Sequence, residues 1–231
     1  MRLPFGQYRP DLPPLVNRTG LIQAKNMLPK TGGYDPLRGL SAIAGATVLT
    51  ARPRGSISGI DASGSGFLYA ASGDLDVEPT SKLWVQRDAG ITDISKSGAY
   101  AVGPTERWSF AKFANRVYAA TISEPMQHHV IGSPLTFLDV PRFSPRARHL
   151  ETVGNFLMAG NIYDTLKGPL PGAIVWSAID DALLWPKIPS DDAVQVQSDI
   201  QPLEGNGGAV QDVVAAAEIA VIFQETAIHR L

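Results

Sequence analysis

Two of the four histidines in this 231-residue chain are adjacent, His128 and His129. An imidazole pair can hold a metal ion only when both rings reach one point. Neighbours on a strand face opposite sides, so this pair makes a poor joint site, and His149 or His229 would join it only through the fold. Asp74, Asp76 and Glu78 alternate along one strand face and offer the oxygens that calcium favours. The glycine and the closing bidentate glutamate of a calcium loop are missing, so a solvated turn is expected. Asp180-Asp181 and Asp191-Asp192 read as Asp-rich turns or helix caps, not as a general acid–base pair. Cysteine is absent, which removes disulfides, thiolate nucleophiles and Cys-ligated metal centres together.

Phosphate-cradling motifs are missing too: no Gly-x-x-x-x-Gly-Lys-Ser/Thr occurs, and Ser63-Gly64-Ser65-Gly66 reads as a hairpin turn. No Gly-x-Ser-x-Gly elbow is present; the serines of residues 55–59 stand at the wrong positions. No Ser-x-Asp-x-Gly-x-x-Trp turn of the sialidase kind is found. No catalytic, cofactor-binding or metal-ligating residue is therefore assigned, no cofactor is expected, and the expectation is a protein without enzymatic activity.

Arg142, Arg146 and Arg148 form the densest basic stretch. It suits a loop between structural units, with contact to a phosphate or an acidic neighbour as the functional alternative. The net charge of −2 gives no global field for nucleic acid, so any DNA contact would have to be local or geometric. Trp84, Trp108, Trp176 and Trp185 read as core. The N-terminus lacks the apolar run of a secretory signal, Asn17-Arg18-Thr19 reads as a chance glycosylation triplet, and no stretch approaches the ~18 apolar residues of a membrane span.

Positioning falls to short strands. Gly 22 and Pro 18 are high and the charged share of 18% is low against a usual ~25%, which suits many turns. Residues 1–55 are punctuated by prolines and carry anchors such as Phe5, Tyr8, Leu12 and Tyr34, the pattern of an extended N-terminal arm lying on a surface. Residues 56–231 carry a recurring phrase. Phe113-Ala114-Asn115-Arg116-Val117-Tyr118-Ala119-Ala120 matches Val153-Gly154-Asn155-Phe156-Leu157-Met158-Ala159-Gly160, with looser copies around Leu68 and Val221. Leu68, Val117, Leu157 and Val221 are spaced by 49, 40 and 64 residues. Four-stranded propeller blades repeat at roughly 40–50 residues.

The fold class expected is all-β: a β-propeller-like domain of about three to four blades, incomplete or completed by a partner, with a Pro-rich extended arm. A β-sandwich or barrel is the alternative. The small residues that close each phrase suit crowding near a propeller axis. Leu183-Leu184-Trp185 reads as the last strand of the third blade. Residues 164–173 and 186–209 read as turn-rich insertions, and residues 215–218 as strand end or short helix. The open blade edge is expected to be covered by the arm, by a partner or by further chain.

These phrases carry a resemblance. Arg-Pro-Asp-Leu-Pro at 9–13, residues 20–37 with Lys30-Thr31-Gly32-Gly33-Tyr34-Asp35-Pro36, Thr-Glu-Arg-Trp-Ser-Phe-Ala-Lys-Phe at 105–113 and Val-Ile-Phe-Gln-Glu-Thr-Ala-Ile-His-Arg at 221–230 resemble, in that order, the tail nozzle or tail-hub (packaged-DNA stabilisation) proteins of tailed bacteriophages. The resemblance implies a virion structural protein, located in the phage tail and assembled in the host cytoplasm. It implies copies of the chain in a ring, typically a hexamer, below the head–tail connector and around the DNA exit channel. Neighbouring adaptor, needle or fibre proteins would be its other partners, with no membrane partner. Family members usually continue past the Val-Ile-Phe-Gln-Glu phrase, so a neighbouring subunit is expected to help complete the edge. The alternatives are a carbohydrate-binding or an interaction-hub β-propeller.

Overall fold

Alternation between large apolar and small residues lets a strand bury both its faces, and this chain uses that pattern to stack sheet upon sheet. The computed structural model describes Lys25, residues 27–30 and 33–36, Leu49, and residues 51–74, 81–87, 90–96 and 99–231. The chain divides into units Met1–Ala44 and Gly45–Leu231. In the first, β1 (Met27–Lys30) and β2 (Gly33–Pro36) form an antiparallel hairpin, with Met27 opposite Pro36 and Lys30 opposite Gly33. The arm anchors Phe5, Tyr8 and Leu12 lie outside the described residues.

The second unit holds four up-and-down antiparallel meanders. Blade 1 is β3 (Arg52–Ile60), β4 (Gly66–Gly73), β5 (Lys82–Arg87) and β6 (Gly90–Asp93). Blade 2 is β7 (Ser109–Phe113), β8 (Arg116–Ala120), β9 (Gln127–Val130) and β10 (Leu138–Asp139). Blade 3 is β11 (Arg146–Val153), β12 (Phe156–Asp164), β13 (Gly168–Trp176) and β14 (Ile200–Pro202), with the helix α1 (Asp191–Gln195) inserted before β14. Blade 4 is β15 (Val210–Ala216), β16 (Ile219–Gln224) and β17 (Ile228–Arg230). The sheets are arranged as in a four-bladed β-propeller that is not closed, which decides against the sandwich or barrel. Among the described residues no strand pairs with the outer edge of β17.

First strands of successive blades lie side by side and are stitched by hydrogen bonds. The Trp108 amide donates to the Arg54 carbonyl at 2.9 Å, the Leu150 amide to Ser109 Oγ at 2.9 Å, and Thr152 Oγ1 to the Lys112 carbonyl at 2.8 Å. Gly55, at φ +151°, permits the first of these approaches, because a Cβ there would collide with the Trp108 carbonyl.

Some expectations are corrected and others hold. Leu183-Leu184-Trp185 is not a strand; it lies in the connection between β13 and β14, and the fourth strand comes from Ile200–Pro202. Residues 164–173 are no insertion but the ends of the β12–β13 hairpin, where Tyr163 pairs with Pro169. Asp164 Oδ1 accepts from the Leu166 and Lys167 amides and so closes that turn locally. Residues 215–218 turn a hairpin through Ala217 at φ 59°: cross-strand pairing overrides the helix propensity of alanine. Ser63-Gly64-Ser65-Gly66 is a hairpin turn, with Asp61 Oδ1 accepting from the Ser63 and Ser65 amides.

Candidate functional site

Among the described residues, each hydrophobic cluster is one seam between blades. Tyr69, Ala71, Leu83 and Val85 of blade 1 meet Val117 and Ala119 of blade 2. Tyr118 and Ala120, from the opposite face of the same β8, meet Leu157, Ala159, Ala173 and Val175 of blade 3. Met158 and Ile174 of blade 3 then meet Val213, Ala220 and Ile222 of blade 4.

The repeated phrase is therefore a docking pattern written on second strands. One pair per strand faces the preceding blade: Val117/Ala119, Leu157/Ala159 and Ala220/Ile222. The alternate pair faces the following blade: Tyr69/Ala71 and Tyr118/Ala120, then Met158/Gly160 in β12. The small residue at the end of the phrase answers to the seam. A Cβ on Gly160 would lie 2.9 Å from Val213 Cγ2 and 3.0 Å from Val210 Cγ1, both in blade 4.

Among the described residues, two faces carry the pattern without a covering blade. Val221, which the spacing set beside Leu68, Val117 and Leu157, is one residue out of step: the turn at Ala217 puts Ala220 in that place, so in blade 4 the alternate pair is Val221/Phe223; Val221 lies opposite Val214, and Phe223 opposite Asp212 and Ile228. Phe223 is 37% exposed, Val214 41% and Ile228 68%, whereas Tyr69 and Tyr118 in the covered seams are 1% exposed. In blade 1 the face away from blade 2 presents Leu68/Ala70, the Leu-x-Ala pair of Leu157/Ala159, beside the exposed Ser56 and Ser58. Leu68 and Ala70 are only half-buried, while Leu157 and Ala159 are fully buried. A groove of about 500 Å³ opens there, lined by Ser58, Ile60, Leu68 and Gln86.

The connection 177–199 builds a second feature. Ser190 Oγ caps α1 by accepting from the Ala193 amide at 3.1 Å, and Asp191 and Asp192 sit in its first turn, where a helix favours negative charge. Asp181 Oδ1 caps the Leu183 amide. Both aspartate pairs are thus turn and cap residues. Grooves of about 660 and 630 Å³ flank the helix. The second is lined by Arg142, Phe143, Leu184 and Lys187, and Arg142 and Phe143 hold φ of 26° and 54°. A bulky residue in the left-handed region stores of order 1–3 kcal/mol of strain. The signal that reveals this platform in sequence is Ser190-Asp191-Asp192 before Ala193, a helix start.

The remaining residues singled out in sequence do not converge. His129 faces blade 1: Tyr69 Oη donates to Nδ1 at 2.8 Å, and Nε2 donates to the Leu135 carbonyl at 2.9 Å. His128 faces the other way, where Arg116 donates to its Nδ1 at 3.1 Å, and burial together with that guanidinium pushes its pKa down to about 4. His149 lies 3.7 Å from Asp212, with burial lowering its pKa. His229 bonds Gln224 at 2.7 Å. Arg146 packs over Tyr163, Arg142 lines the groove and Arg148 is exposed, so the basic stretch is not one patch. Trp84, Trp108 and Trp185 are buried, while Trp176 is half-buried and donates to the Gln197 carbonyl. Asp74 is exposed; Asp76 and Glu78 lie outside the described residues. Among the described residues no three His, Cys, Asp or Glu side chains gather as a metal site, and no helix is long and apolar enough to cross a membrane.

Fold and exposed faces together define an open, β-propeller-like all-β protein. No protein-family model matches the chain, and no curated protein matches it.

Proposed function

We propose that this chain is an assembly protein whose task is to dock blades, and that its setting is the tail nozzle of a tailed bacteriophage. The observation that carries the reading is blade 4: its outward face presents Val214, Val221, Phe223 and Ile228 in the register that buried seams use elsewhere. Contiguous exposed apolar surface of this kind marks an interaction site. The phage setting comes from the ordered phrases at 9–13, 20–37, 105–113 and 221–230. In that setting the chain is a virion structural protein in a ring below the connector, and contact with exiting DNA is non-specific. Mass spectrometry of purified particles is the test. The chain should be present in a fixed stoichiometry to the connector; particles without it would end the phage reading.

A further inference from the structure

We infer that Asn206 is a site of spontaneous covalent modification: ring closure onto the Gly207 amide turns its carboxamide into an acid and lengthens the main chain, which releases the β14–β15 connection from the β16–β17 turn. This goes beyond the assembly reading above and does not rest on it.

The chain has six asparagines, and Asn206 alone is followed by glycine. Asn115 and Asn155 are exposed as well, but Arg116 and Phe156 follow them, and a side chain there hinders attack by the next amide. Glycine has no such side chain. Asn206 is exposed, and its carboxamide makes no hydrogen bond among the described residues. The Gly207 amide likewise donates to no acceptor among them, so no existing bond competes for the attacking nitrogen. The fold in turn requires glycine at 207. A Cβ there would collide with the Gln224 side-chain oxygen and lie 3.1 Å from Ala227 Cβ. Gln224 cannot withdraw: it is 7% exposed, its Nε2 donates to the Gly208 carbonyl at 2.7 Å, and its Oε1 bonds His229 at 2.7 Å. Packing under Gln224 therefore selects the one neighbour that leaves Asn206 labile.

The chemistry needs only water. The Gly207 nitrogen gives up its proton and bonds to Asn206 Cγ; the Cγ–Nδ2 bond breaks and ammonia leaves. Water then opens the cyclic imide at either carbonyl. Opening at Cγ gives aspartate on a normal main chain. Opening at the other carbonyl gives isoaspartate, whose main chain runs through Cβ and Cγ and whose former main-chain carbonyl becomes a free carboxylate. Thr226 holds the two carbonyls at this point: its Oγ1 donates to that of Asn206 at 3.2 Å and its amide to that of Gly207 at 3.0 Å. Isoaspartate removes the first acceptor from the main chain and displaces the second. The turn that leads into β17 then loses its tie to the preceding connection.

The full chain, kept warm at pH 8 for days, is mapped by mass spectrometry, and isoaspartate is counted by enzymatic methylation of its free carboxylate. Acid should accumulate at Asn206 before any appears at Asn115 or Asn155. The aged chain should unfold at a lower urea concentration than the fresh one. Asn206→Asp, which carries the charge on a normal main chain, should keep the fresh midpoint. Asn206→Ser should age with no change in mass or midpoint at this loop. Asn206→Gln, whose longer side chain cyclises far more slowly, takes its place should the serine variant not fold. An Asn206 that stays intact, or conversion of another asparagine first, overturns the site. An aged chain with the fresh midpoint, or an Asn206→Asp midpoint as low as the aged one, overturns the release. None of these results depends on whether the chain is found in particles.

Discussion

Tyr69 donates its hydroxyl proton to Nδ1 of His129 over 2.8 Å, across the seam between the first and second blades. Their rings, 5.4 Å apart, sit with Phe137 in the same aromatic cluster. The Leu135 carbonyl can only accept, so His129 Nε2 carries the proton and Nδ1 is the acceptor. In the neutral ring this places the proton on Nε2 and fixes the tautomer. Tyr69→Phe keeps the packing and removes this bond. The expected cost is about 1 kcal/mol in urea denaturation, with the slope against denaturant unchanged. A loss of less than a few tenths would show that the hydroxyl is satisfied as well in the unfolded chain.

Acid should loosen the seams before it titrates the carboxylates. His128 has its pKa pushed from 6.5 down to about 4 by burial and by Arg116, and burial lowers that of His149 as well. In each case the unfolded chain takes up a proton at a pH where the folded chain does not. Stability is therefore full above pH 6.5, and falls as pH drops from 6.5 toward 4. The slope approaches about 1.4 kcal/mol per pH unit for each full proton. His128→Gln should flatten this slope while leaving stability at pH 8 little changed. Denaturation midpoints at half-unit steps of pH measure it; an unchanged slope would locate the acid sensitivity elsewhere.

Two cations near the first blade should differ sharply in worth. Arg54 is buried, and its guanidinium donates to the carbonyls of Gly73, Gly103, Pro104, Glu106 and Asp74. Lys96 pairs with Asp139 at 2.7 Å on side chains 33% and 50% exposed. Arg54→Met takes the partner from the buried Gly73 carbonyl and from four part-buried ones, and should cost about 2 kcal/mol or more. Lys96→Ala gives up a screened surface pair worth less than about 1 kcal/mol. Thermal melts of the two variants in one buffer decide the order.

Gly160→Ala tests the seam pattern directly. The added methyl would press on Val213 and Val210 at 2.9–3.0 Å, two branched side chains with little freedom to withdraw. Overpacking of this kind should cost about 1–3 kcal/mol. Val213→Ala combined with it should recover part of the loss, since the space the methyl needs is then open. Additive losses in the double variant would place the strain outside the seam.

What the linear sequence decides here is periodic. The spacing of Leu68, Val117 and Leu157, and the alternation within each phrase, were enough to place most second strands and to give an all-β chain of repeated meanders. The opposite orientation of His128 and His129 followed from strand geometry alone. These are local properties, fixed by the two-residue period of an extended backbone.

What the tertiary structure decides is who covers whom. Leu183-Leu184-Trp185 has a strand's composition, yet the partner edge of β13 is taken by Ile200–Pro202. Ala215-Ala216 has a helix's composition, yet it pairs with Ala220 and Ile219. Residue type marks the glycine of the third phrase as small, but only the fold shows that Val213 and Val210 of the next blade press against it. The exposed state of Phe223 and the half-open one of Leu68 could not be read from residue type, because the same types are fully buried in other blades. Burial belongs to the pair of surfaces that meet, and a single strand encodes only one of them.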